Sequence, residues 1–198
     1  MFKVHGVISI LAATWLFACS AADTSEGDSA DLGSVGAQSE QLKTFPPLAD
    51  PSLAAPDDGR LAFYYDAIGV QIYACQATAM GHAWTFQAPE AKLFDRRGRL
   101  VVKHFGGPSW ESVRDRSKVV AKKLKEFTAN KNAIPELLLE ATLHDGKGQL
   151  DDVNYIQRLD TVGGLAPTSG CDAAHLGAIA RVDYTASYLF YRPKSRCE

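Results

Sequence analysis

The densest run of chemically capable side chains is His104-Phe105-Gly106-Gly107-Pro108-Ser109-Trp110-Glu111. An imidazole beside a tight turn can work as a general acid or base, or contact a ligand, and a neighbouring indole can stack a flat group. The same residues also fit a plainer arrangement. Gly106-Gly107-Pro108 reverses the chain, Trp110 packs in the core and His104 bonds to the backbone. The sequence favours this second arrangement, with any ligand site built beside it. Glu90 and Glu111 would serve as the acid and base of a glycoside hydrolase if the fold placed them across one scissile bond. Otherwise they are partly exposed acids beside the Pro89 and Pro108 turns. His104, Glu90 and Glu111 are therefore the candidate catalytic set, and His104, Trp110 and Arg158 the candidate ligand contacts. In Tyr155-Ile156-Gln157-Arg158, strand alternation puts Arg158 on the same side as Ile156. Facing inward it would need a carboxylate partner, so an edge or rim position is expected.

Several chemistries lack their parts. Beyond His5, the histidines are His82, His104, His144 and His175, and no two stand at H-x-x-x-H spacing. No C-x-x-C occurs, so neither a metal site nor a redox pair is expected. Ser109 and Ser187 have no G-x-S-x-G elbow, and no P-loop precedes a Lys-Ser or Lys-Thr. Gly163-Gly164 reads as a backbone turn. No cofactor is expected. Charge is uneven along the chain. Residues 20–42 carry five acids and no base, whereas residues 43–198 carry 20 basic and 18 acidic side chains. A nearly neutral domain gives no footprint for nucleic acid.

Residues 1–19 read as an export signal: Lys3 and His5, then an apolar stretch from Val7 to Ala18, too short to span a bilayer. Leu16-Phe17-Ala18-Cys19 looks like a lipobox, which makes Cys19 a lipidation site and a membrane the expected partner. Ser20, not Asp, follows it, which points to the outer membrane. Secretion without a lipid is the alternative. Residues 20–44 are Ser-, Gly-, Ala- and acid-rich and read as a disordered tether. Residues 45–198 form the domain.

The elements that must position the candidate residues read as strands. Leu61–Tyr65 and Val70–Cys75 are separated by Gly69, and Ala83–Phe86 ends at Pro89. Lys92–Phe94 and Leu100–Phe105 flank the hairpin turn Asp95-Arg96-Arg97-Gly98. Leu137–Leu143 and Leu150–Arg158 flank a second turn at Asp145–Gly148, and Arg181–Tyr191 is a last aromatic strand. Ser117–Phe127 has Val120, Leu124 and Phe127 at helical spacing, but its strand neighbours favour a strand. The fold class is all-β, a single antiparallel β-sandwich or barrel.

A succession of motifs carries a resemblance: Tyr73-Ala74-Cys75-Gln76-Ala77, Pro89-Glu90-Ala91-Lys92-Leu93, His104 to Glu111, Asp115-Arg116-Ser117-Lys118-Val119, Ile134-Pro135, Tyr155-Ile156-Gln157-Arg158, Gly163-Gly164-Leu165-Ala166-Pro167, Cys171, and Tyr184 to Tyr191. Over roughly residues 60–191 the chain resembles the exported bacterial and fungal family called domain of unknown function 3455. The resemblance implies an exported, mostly β domain without an established activity. A malate-dehydrogenase-like label sometimes given to such proteins finds no support, because no G-x-G-x-x-G turn occurs. Two positions depart from the family pattern. Glu136 stands where a Trp tends to follow Ile-Pro, and Arg116 where a Gly tends to stand between Asp and Ser. Cys75 and Cys171 both lie within the family motifs, which implies a Cys75–Cys171 disulfide in an oxidising compartment. Cys171–Cys197 is the rival pairing. The expected role is non-catalytic: a cell-envelope or secreted module that binds a small molecule, a glycan or an envelope partner. The alternatives are a secreted carbohydrate hydrolase and a structural envelope protein without a ligand.

Overall fold

The computed structural model describes residues 46–194. The chain divides into two units, Met1–Leu42 and Lys43–Glu198, and all the described residues belong to the second. Cys19, the signal, the tether and Cys197 lie outside the described residues.

Eight strands follow one another: β1 Gly59–Thr78, β2 Gly81–Phe94, β3 Leu100–Phe105, β4 Ser109–Ser112, β5 Lys118–Phe127, β6 Glu136–Asp145, β7 Tyr155–Gly163 and β8 Ile179–Pro193. Each pairs antiparallel with the next, and β8 returns to β1, from Gly59 opposite Pro193 to Ala74 opposite Ile179. Of the two expected architectures the molecule adopts the closed barrel. Inward positions alternate with outward ones, as in Ala91 and Leu93 against Glu90 and Lys92, or Val102 and His104 against Lys103 and Phe105. The alternation lapses along Ser187–Phe190, which is buried on both faces. Leu53 lies on the outer wall there with Leu138, Leu159 and Leu189. The Gln157 side-chain amide donates to the Leu53 carbonyl at 2.5 Å and accepts from the Tyr191 hydroxyl at 2.6 Å.

Three boundaries differ from the sequence reading. Gly69 does not interrupt a strand; it lies inside the 20-residue β1. A Cβ at Gly69 would fall 2.3 Å from the Glu90 carbonyl oxygen and 2.4 Å from the Ala91 Cβ, so glycine marks a close approach of β1 to its paired neighbour β2. Nor does β2 end at Pro89, which sits opposite Gln71 within it. The β2–β3 ladder reaches only to Ala91, so Pro89 has no partner on that side for its absent N–H to deprive. Finally, Leu150–Asn154 is not the start of a strand. Leu150 and Val153 turn into the end of the barrel and are fully buried. The Asp115 carboxylate secures this inward loop. It accepts from the Ser117 hydroxyl at 2.6 Å and the Gln149 N–H at 3.0 Å, while the Ser117 hydroxyl accepts from the Leu150 N–H at 3.0 Å. The hydrogen bond from Ser117 is the main reason the Asp115 carboxyl is held down to about 2.

Of Ser117–Phe127, all but Ser117 form β5 as expected of a strand, with Val119 and Ala121 inward and two register shifts along it. Its helix-forming Lys and Ala yield to pairing with β6 along the strand and with β4 at its start. Cys75 is bonded to Cys171 with Cα atoms 5.3 Å apart, joining β1 to the loop before β8. Closing a loop of 96 residues stabilises by about 4 to 5 kcal/mol in the chain-entropy account.

Candidate functional site

The barrel is filled unequally. The end where β1 begins is packed by Tyr65, Leu93, Val102, Val119, Leu150 and Phe190. The opposite end holds a cavity of about 390 Å³ to which all eight strands contribute. Its floor is aromatic. His104 stacks on Trp110 with ring centroids 4.3 Å apart and planes 9° apart, and Tyr188 meets both rings edge-on at 5.5 and 5.9 Å. Its walls are apolar, from Tyr73, Phe86, Pro89, Leu137 and Leu139. Lys123 and Glu126, both about half exposed, form an ion pair at the mouth.

The turn that builds the floor follows from its residues. Gly107 takes φ 77°, a left-handed conformation that costs glycine little. It brings the Ser109 carbonyl within 2.9 Å of His104 Nδ1. A carbonyl only accepts, so Nδ1 carries the proton and Nε2 is left as an acceptor. His104 is 3 % exposed, and burial pushes its pKa down to about 3, so the ring is neutral at physiological pH. The sequence expectation of a packed Trp110 and a backbone-bonded His104 matches this arrangement, and both side chains also border the cavity.

Arg158 does not take the rim position expected of it. It shares the inward face of β7 with Ile156 and reaches the cavity. Nor does a carboxylate hold it. Nε and Nη2 donate to the Pro135 carbonyl at 3.3 and 2.8 Å, leaving Nη1 without a partner among the described residues. A carbonyl 23 positions away in sequence replaces the expected acid, so no ion pair was needed to bring the guanidinium inside.

Glu90 and Glu111 stand apart from this site. Glu90 points out from β2 and pairs with Arg181 at 2.8 Å, while Glu111 pairs with Arg116 at 2.9 Å. Each neighbours an inward residue, Ala91 or Trp110, so each faces away from the interior that holds His104. Strand β3 lies between them, setting their backbones about 10 Å apart before the register offset is added. The structure therefore does not gather His104, Glu90 and Glu111 into one cleft. Among the described residues no cluster of His, Cys, Asp or Glu is arranged to hold a metal.

Gln71 belongs to the cavity and stands in no motif. It is 3 % exposed, and its Nε2 has no hydrogen-bond partner among the described residues; the buried Trp110 Nε1 is in the same condition. The signal for Gln71 in the sequence is a polar residue in phase with Tyr73 on a strand whose inward positions are otherwise apolar or small.

Fold and cavity together define an eight-stranded antiparallel meander closed into a barrel, packed at one end and hollow at the other. The chain belongs to the family described as Protein of unknown function (DUF3455), which matches residues 56–192, from just before β1 to the penultimate residue of β8. No curated protein and no solved structure matches it. The disulfide is compatible with an exported protein. No helix among the described residues is long and apolar enough to cross a membrane.

Proposed function

We propose that this protein is an exported binding module that holds a small molecule in the hollow end of its barrel. The observation that carries this reading is a mostly apolar cavity lined from all eight strands, with the half-buried Arg158 guanidinium and the polar Gln71 among its lining residues. A mostly apolar chamber with a few polar groups is the usual make-up of a small-molecule site. The carbohydrate-hydrolase alternative draws no support from Glu90 and Glu111, which face outward into ion pairs.

Thermal-shift screening of a small-molecule library tests the reading. At least one compound is expected to raise the melting temperature of the wild type and to lose that effect in Leu137→Trp, which fills the chamber from its wall. A library without hits, or hits indifferent to Leu137→Trp, would end the proposal. Export through residues 1–19 and lipidation of Cys19 belong to the same proposal. They place the barrel at the outer membrane, and mass spectrometry of the mature N-terminus tests them. An unmodified N-terminus near Ala21 would mean secretion without an anchor.

A further inference from the structure

We propose that the occupant of the hollow end is an apolar organic monoanion, a carboxylate or sulfonate whose charge docks on Arg158 while its body lies against Tyr73, Phe86 and Leu139. This rests on the cavity being the binding site and goes on to name the class of ligand.

The argument begins with the cation. Arg99, Arg116 and Arg181 each meet a carboxylate on the barrel surface, at 2.6, 2.9 and 2.8 Å. Arg158, the arginine that borders the chamber, meets none among the described residues and is held by a backbone carbonyl. A half-buried guanidinium with a free Nη1 gives up water without gaining a counter-ion, and an anion seated opposite it restores the balance. The remaining polar lining points the same way. Gln71 and Trp110, whose buried Nε2 and Nε1 have no partner among the described residues, bring no negative charge to the lining. Glu126, the carboxylate on the lining, is at the mouth and already paired with Lys123. The walls select against a bare inorganic anion or a sugar. Tyr73, Phe86, Pro89, Leu137 and Leu139 offer apolar surface and few partners for a set of hydroxyls. What fits is one negative end on an apolar body. Fatty acids and aromatic acids both have that form.

Two matched probe pairs separate the class from its sources: octanoate with octanamide, and 2-naphthylacetate with 2-naphthylacetamide. Each pair keeps the body and removes the charge. Binding is read by tryptophan fluorescence and thermal shift on the wild-type protein. In at least one pair the anion is expected to bind about 10- to 100-fold more tightly than its amide, and the pair that responds identifies acyl or aromatic acids as the source. Arg158→Gln is expected to weaken anion binding far more than amide binding and so abolish the preference, and Arg158→Lys to keep part of it. Should Arg158→Gln fail to fold, the wild-type anion-to-amide ratio decides alone. Equal binding of anion and amide in every pair that binds would overturn the anion proposal and leave the cavity reading standing. If no probe binds while the library screen does yield hits that depend on Leu137, the anion proposal likewise falls alone. No binding in either experiment overturns both.

Discussion

At the end of the barrel where β1 begins, the loop between β6 and β7 folds inward, and Leu150 and Val153 complete a core with Tyr65, Leu93 and Phe190. At the other end the corresponding space stays open, and Gln71, Arg158 and the mouth pair Lys123–Glu126 stand where apolar side chains would be needed to fill it. The same eight strands enclose both. The difference lies in the loops. The closing loop is drawn in by Asp115 and Ser117, whereas the disulfide-bonded loop at the open end is tied to the wall through Cys75 and the Trp84 indole N–H, which donates to the Ser169 carbonyl at 2.8 Å. Closing one end supplies the packing that stabilises the barrel, and the other end is left free to carry polar groups without a partner.

This contrast is open to measurement. Leu150→Ala removes a fully buried side chain from the packed end and is expected to cost about 3 to 5 kcal/mol in chemical unfolding. Leu137→Ala, on a wall that already faces a void, is expected to cost about 1 to 2 kcal/mol. Equal losses would dissolve the distinction between the ends.

His104 marks the boundary between them and adds a pH dependence. Its surroundings are the Trp110 and Tyr188 rings, the Ser109 carbonyl and, further off, the Arg158 charge. Burial holds the folded pKa near 3, whereas the unfolded chain takes up a proton below about 6.5. The unfolded state therefore binds more protons across that interval. Stability from this group is full above pH 6.5 and drains away as the pH falls toward 3. Between pH 7 and 5 the loss amounts to about 2 kcal/mol. Urea unfolding at both values should show it in the wild type and not in His104→Gln; a parallel slope in the variant would mean that His104 is not the responsible group.

The smallest effect belongs to the packed end. Arg116 holds φ at 63° in the loop between β4 and β5. A glycine adopts that conformation without the side-chain strain, and the ion pair with Glu111 is reached by solvent through the largely exposed Arg116 side chain and contributes little. Arg116→Gly is expected to raise stability by about 0.5 to 1 kcal/mol in the same assay, and a loss of stability would show that the ion pair outweighs the strain.

What the sequence reveals and hides follows from range. The Asp95–Gly98 turn, the Gly106-Gly107-Pro108 reversal and the strand character of β5 depend on neighbours a few positions away, and each was legible. The Cys75–Cys171 bond was legible through family motifs. The role of Gly69 was not, because a glycine that ends a strand and one that lets a second strand pass close by look the same without the passing strand. Arg158 was misplaced for a similar reason, since its partner is the Pro135 carbonyl and no residue pattern encodes a backbone acceptor 23 positions upstream. The hollow was hidden because its lining repeats the alternation of a filled core, and Gln71 alone breaks that pattern on β1.

The pairing of β1 with β8 has a consequence for how the molecule comes apart. Gly59 and Pro193 lie side by side, so the first strand and the last close a ring and neither is an edge. No strand can leave the ring without breaking two ladders at once, although β2 before Ala91 and the second half of β5 are paired along one side only. Opening such a ring should be cooperative, with the seam between the first and last strands resisting as any other does. Under the proposed export, away from chaperones, a ring sealed between its first and last strands would serve the polypeptide well.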